Sequence, residues 1–175
     1  DVVITKAEYD MSSVEFENAE YTYDRNGKML NVQGKLPDGV SVSYYVDGLP
    51  TNELINSGVY EITAVFTGDS HNYEPIEDKK ATLTIKKATH NMEGIKLEET
   101  SFVYDGHEHE IKLKNEMLLP NGVEAIYKNN KHIDAGTYEI ELSINENNYQ
   151  AEIVETELVI KKAEAIITNK MESNN

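Results

Sequence analysis

One hexapeptide constrains this 175-residue chain more than any other feature. Leu83-Thr84-Ile85-Lys86-Lys87-Ala88 returns as Leu158-Val159-Ile160-Lys161-Lys162-Ala163, and a related Val3-Ile4-Thr5-Lys6-Ala7 stands near the start. Between these joints the same landmarks recur in one order: Tyr23-Asp24 with Tyr104-Asp105, Leu36-Pro37-Asp38-Gly39-Val40 with Leu119-Pro120-Asn121-Gly122-Val123, Gly58-x-Tyr60 with Gly136-x-Tyr138, and Asn72-Tyr73 with Asn148-Tyr149. Their separation drifts from 81 through 83, 78 and 76 to 75 residues, so the copies differ by small insertions, where loops belong. Residues 8–88 and 89–163 therefore read as two complete units. Residues 1–7 read as the end of a preceding unit and 164–175 as a tail or the start of a next one. The second copy is the shorter, lacking much of the 51–56 and 68–80 loops.

Within a unit the dominant signal is alternation. Val40, Val42, Tyr44 and Val46 alternate with polar neighbours, as do Tyr60, Ile62, Ala64 and Phe66, and the second copy repeats this with Tyr138, Ile140, Leu142 and Ile144. That is the period of a half-buried strand. Leu30 with Val32, Ala81 with Leu83 and Ile85, Ile111 with Leu113, and Leu158 with Ile160 predict further strands, separated by turn pairs such as Asn26-Gly27 and Asp47-Gly48. Six or seven short strands in each copy point to an all-β fold of two tandem, small antiparallel β-sandwiches. A β-grasp arrangement is the alternative, with a helical turn between Asp47 and Asn56. The joints at Lys87-Ala88-Thr89 and Lys162-Ala163-Glu164 carry no Gly, Pro or Ser-rich run, which predicts close coupling of successive units.

Charge and composition narrow the partners. With 32 Asp and Glu against 16 Lys and Arg the net charge is -16, and no basic stripe exists to neutralise phosphates, so nucleic acid is an unsuitable partner. No stretch is apolar enough for membrane insertion, and the opening residues lack the basic and apolar regions of a signal peptide; if exported, the chain reads as a fragment. The absence of cysteine removes disulfides, thiol catalysis and cysteine-zinc sites together.

Candidate sites are few. In Gly-x-Tyr the phenols of Tyr60 and Tyr138 read as anchors that bond nearby backbone while the ring fills the core. His107 and His109 would project from one face of a strand and are the best metal candidates, although the first copy has only Lys28 and Met29 near that place and zinc wants three or four ligands. Asp69, Asn72 and Glu74, or Glu146, Asn147 and Asn148, offer oxygens to calcium without the spacing of a twelve-residue loop. Lys6, Lys87, Asn72 and Asn148 are the residue types of the Lys-Asn amide cross-link of Gram-positive surface sandwiches, but none stands on an apolar face. No nucleophile elbow, phosphate-cradling loop or HExxH helix occurs, so no catalytic residue and no cofactor is assigned and the chain is not read as an enzyme.

The segments KAEYD through VSVSYYVDG and SGVYEITAVFTGD through ATLTIKKA, with FVYDG, LPNGV, AGTYEIEL, NNY and ELVIKKA in the second copy, resemble the tandem MBG/YDG-type immunoglobulin-like repeats of bacterial cell-surface proteins. The resemblance covers residues 7 to 163. It implies a surface-exposed, secreted or wall-anchored multidomain protein in which such modules form stalks or contribute to adhesion, and it brings no catalytic residues. In the first copy Tyr23-Asp24 is followed by Arg25-Asn26-Gly27, a departure that bears on turn type.

The leading expectation is thus a non-catalytic spacer module, an extracellular monomer whose partners are neighbouring repeats of its own chain. The alternative is an adhesin module that contacts glycans, mucin or matrix protein through Tyr45 and the loops 49–57 and 128–134, multivalency making up for weak single contacts. An accessory domain of an extracellular enzyme is a third reading.

Overall fold

A computed structural model describes residues 1–115, 118–145 and 147–166. It contains two compact units, one comprising Asp1–Ala88 with Asn147–Tyr149 and the other Thr89–Glu146 with Gln150–Asn175. Both are all-β: the strands are β1 (Ala19–Thr22), β2 (Ser41–Val46), β3 (Leu49–Pro50), β4 (Gly58–Thr67), β5 (Lys79–Lys86), β6 (Ala88–Thr89), β7 (Ser101–Val103), β8 (Ala125–Lys128), β9 (Gly136–Ile144), β10 (Tyr149–Gln150) and β11 (Val154–Lys161). No α-helix occurs among the described residues, and none is long and apolar enough to cross a membrane.

In the first unit the sheet runs β1-β5-β4-β2-β3. Its centre is antiparallel, with Tyr60 opposite Leu83 and Tyr44 opposite Ala64, while β1 joins the edge in parallel with Ala19 opposite Leu83. The alternation seen in sequence places Ile62, Ala64, Phe66, Ala81, Leu83 and Ile85 on one face, all buried, and leaves Glu61 and Lys80 outside as an ion pair of 2.7 Å. Burying each such large aliphatic side chain contributes about 1.5 to 3 kcal/mol. Between β2 and β3 the predicted Asp47-Gly48 turn has positive φ at both residues, 49° and 76°, which matches the twist of a two-residue hairpin. The segment 47–56 therefore holds a hairpin and the Lys28–Leu54 bridge, in place of the helical turn of the β-grasp alternative.

The second unit repeats the sheet as β7-β11-β9-β8, again with one parallel edge pair, β7 on β11. Ile140, Leu142, Leu158 and Ile160 form its buried face, met from the other side by Ile111.

The opposing layer of each sandwich is thinner than the sequence predicts. Leu30 and Val32, and Ile111 and Leu113, were expected on strands. They are buried or half-buried, yet only single bridges form there, Glu15 to Gln33 in one unit and Leu97 to Leu113 in the other. The reason is where the backbone hydrogen bonds go. The phenol of Tyr44 accepts from Val32 N–H at 2.9 Å and that of Tyr127 from Leu113 N–H at 2.8 Å. The Asn130 amide then satisfies both the N–H and the carbonyl of Ile111, each at 2.8 Å. Side chains from the main sheet and its loops do the work of a partner strand, so these segments stay covered without becoming ladders.

Candidate functional site

The repeated Tyr-Asp turn carries the histidines read above as metal candidates. Asp24 Oδ1 accepts from Asn26 N–H at 2.9 Å, and Asp24 Oδ2 takes the Lys28 ammonium at 2.7 Å. In the second unit Asp105 Oδ1 accepts from His107 N–H at 2.9 Å and meets His109 Nε2 at 3.0 Å. Lys28 and His109 thus occupy one slot: their side chains are 17% and 14% exposed, and each bridges to the loop before the next strand, Lys28 to Leu54 and His109 to His132. The His109 ring also stacks on Phe102 at 4.5 Å between centroids. His107 is brought to the same carboxylate, 3.6 Å away, but its side chain is largely exposed. This histidine pair closes a turn. Among the described residues no group of three or more His, Asp or Glu is placed to hold a metal ion.

Electrostatics follow the same geometry. The hydrogen bond from Lys28, with that from Asn26 N–H, pulls the Asp24 carboxyl down to about 2. Asp105 is also lowered, chiefly by His107 N–H and less by His109.

The Gly-x-Tyr anchors form as the sequence predicts. Tyr60 donates to the Asn56 carbonyl and Tyr138 to the Asp134 carbonyl, both at 2.9 Å. Each ring folds back over the glycine two residues before it. A Cβ at Gly58 would sit 3.0 Å from the Tyr60 ring, and one at Gly136 would sit 3.1 Å from that of Tyr138. The glycine is there for close approach, and in the second unit His132 stacks on the Tyr138 ring at 3.6 Å between centroids. Tyr44, by contrast, stands in the sequence analysis only as a strand position, and Tyr127 is not singled out there. Their recurrence 83 residues apart was the available signal for a second fixed role.

Of the oxygens considered for calcium, those of Asp69 are spent locally. Asp69 accepts from His71 N–H at 2.9 Å and from the Asn72 side chain at 2.7 Å, bracing its own loop. Glu146 lies outside the described residues. Lys6 is exposed and donates to the Ser70 carbonyl at 2.9 Å, so it is not placed for an amide cross-link.

Tyr45, the candidate for ligand contact, is half-buried on β2 opposite Pro50. It lines a shallow cleft of about 400 Å³ with Met29, Asn31, Ser43, Pro50 and Asn52. Of the loops proposed with it, 128–134 is pinned: Asn130 holds Ile111, and His132 Nε2 lies 2.8 Å from the Asn129 carbonyl.

What the two units have in common is therefore a set of turn, anchor and core residues. Residues 94–164 match the family model of the MBG domain. The second unit is an MBG-type repeat. No curated protein matches the chain. Among solved structures it is similar to Sidekick-1 immunoglobulin domains 1–4, at 15% identity over 85% of this chain and 47% of that one, with a TM-score of 0.34. It is similar to the Bacteroides ovatus SGBP-B of a mixed-linkage glucan utilization locus, in complex with a heptasaccharide, at 15% identity over 86% and 45% with a TM-score of 0.32. Clostridium thermocellum CbhA fibronectin(III)-like modules give 10% identity over 91% and 100%, with a TM-score of 0.28. The chain spans less than half the length of the first two.

Proposed function

We propose that this chain is a non-catalytic structural module of a bacterial cell-surface or secreted protein, two consecutive MBG-type repeats, residues 8–88 and 89–163, that space other parts of their polypeptide from the surface. One observation carries the reading: the residues that recur between the units are consumed by the fold. Tyr44 and Tyr127, Tyr60 and Tyr138, Asp24 and Asp105 each make the same internal hydrogen bond in both copies. Repetition has kept a scaffold. A net charge of -16 keeps such a module soluble and repels an anionic wall.

The cleft at Tyr45 favours a second reading, a module that holds a sugar on the tyrosine face with Asn31 and Asn52 as hydrogen-bonding groups. Display of the chain at high valency on beads, against glycans, mucins and matrix proteins, separates the two. The spacer reading expects no saturable binding. Saturable binding that disappears in Tyr45→Ala would replace it with the adhesin reading.

A further inference from the structure

The parallel edge of each sheet joins an early strand to the last long one, β1 to β5 and β7 to β11. Because the two strands run the same way, the chain enters each pair at one end and leaves it at the other. Tension along the polypeptide then slides the strands past each other and loads all the bonds between them together, whereas the pairs of an antiparallel hairpin part in turn. Immediately ahead of each parallel pair the chain is tied by single bridges, Glu15 to Gln33 and Leu97 to Leu113, so the load falls on the pair itself.

The two latches share a plan and differ in strength. Both end on the same bond, Tyr23 N–H to the Lys86 carbonyl and Tyr104 N–H to the Lys161 carbonyl, each at 2.8 Å. The first spans four register pairs, from Ala19–Leu83 to Thr22–Lys86, and the second spans three, from Ser101–Val159 to Val103–Lys161. At its other end the first is lengthened by a side chain, Asn18 Oδ1 accepting from Thr82 N–H at 2.7 Å. Glu20 also pairs with Lys86 across the two strands. In the second unit Glu99 and Ser101 stand in the repeat positions of Asn18 and Glu20. Among the described residues no side chain takes up Glu157 N–H, the counterpart of Thr82 N–H, and Ser101 has no carboxylate to offer Lys161. The strand behind each latch sharpens the contrast. β4 sets Glu61 opposite Thr82 and Thr63 opposite Lys80, with Glu61 and Lys80 paired, while β9 sets Glu139 opposite Glu157 and Glu141 opposite Glu155. Lys128 relieves Glu141 from the β8 side, but like charges directly opposite each other weaken a ladder.

We propose that these parallel pairs are the force-bearing latches of the chain and that the second is the weak link, so that under tension the second unit opens while the first holds. This deepens the spacer role and rests on it, since a module that joins a surface to other parts of its polypeptide carries load.

The full chain, held by handles at its two ends under constant force, tests it. It should lengthen in two steps, each of roughly 250 Å, about the reach of one unit's extended chain. The unit that opens first should have a lifetime at least about tenfold shorter than the other, because forced opening follows the unfolding rate. Asn18→Ala changes an exposed residue; it should shorten the longer lifetime about fivefold, the effect of one hydrogen bond, and leave the shorter one unchanged. Glu99→Asn with Ser101→Glu should lengthen the shorter lifetime by about the same factor. Equal lifetimes, a shorter lifetime that responds to Asn18→Ala, or a Glu99→Asn, Ser101→Glu variant that moves only the longer one overturns the proposal. The two failures are distinct: saturable binding through Tyr45 overturns the spacer reading without changing either lifetime.

Discussion

The first unit closes its Tyr-Asp turn with a lysine and the second with a histidine, and the surrounding geometry hardly changes. Both side chains fill a largely buried slot, both donate toward the aspartate, and both bridge to the following loop. What the position requires is a long or flat group that covers apolar surface and ends in a donor. Elsewhere the units diverge in means and agree in result. The first extends its sheet with β3, whereas the second, with a shorter loop, uses the Asn130 amide to satisfy Ile111. At these two places the fold specifies which group must be satisfied and accepts different residues to satisfy it, whereas Tyr44 and Tyr127, Tyr60 and Tyr138, and Asp24 and Asp105 keep both the residue and the bond.

The largest effects should be equal in the two units. Leu83→Ala and Leu158→Ala each remove a fully buried side chain at matched positions, and each should cost about 2 to 5 kcal/mol. Hydrogen exchange resolved by residue checks this, with protection lost in the mutated unit. Markedly unequal losses would show that the cores are not equivalent. Next, Gly58→Ala and Gly136→Ala force a methyl group against the tyrosine ring, at a cost of about 1 to 3 kcal/mol. A double-mutant cycle with Tyr60→Leu or Tyr138→Leu should recover much of that loss, since the clash has one partner. The second unit should recover less, because Tyr138→Leu also removes the stack on His132.

Smaller again is the loss of a single acceptor. Tyr44→Phe and Tyr127→Phe strip the phenol from Val32 and Leu113 N–H and should each cost about 1 to 2 kcal/mol in thermal unfolding. These two residues also show where sequence reading stopped. Alternation identified the buried faces of β4, β5, β9 and β11, because in a strand side-chain direction follows directly from position. The anchors at Tyr60 and Tyr138 were legible because glycine at a fixed offset has few explanations. Strands at Leu30–Val32 and Ile111–Leu113 were overstated, because burial gives the same apolar pattern whether the backbone bonds a neighbouring strand or a phenol. His109 looked like a ligand because alternation puts it on one strand face with His107, and only three dimensions show that its imidazole and the Lys28 ammonium serve the same carboxylate.

Exchanging those two residues is the finest test of the comparison. The Asp24 carboxyl lies at about 2, below the unfolded value near 3.9, so its hydrogen bonds stabilise the folded state above roughly pH 4 and are lost as pH falls toward 2. Asp105 is lowered as well, and its contribution disappears in the same direction, as pH falls through its folded value. The leading cause differs: a side-chain ammonium for Asp24, a backbone N–H for Asp105. Lys28→His should therefore raise the Asp24 titration midpoint, and His109→Lys should lower that of Asp105, with carboxylate NMR shifts as the readout. Asn26 N–H and His107 N–H remain in both variants, so neither aspartate should return fully to its unfolded value. If His109→Lys instead leaves Asp105 unmoved, the slot in the second unit cannot deliver an ammonium to the carboxylate, and the equivalence of the two turns is limited to their backbones.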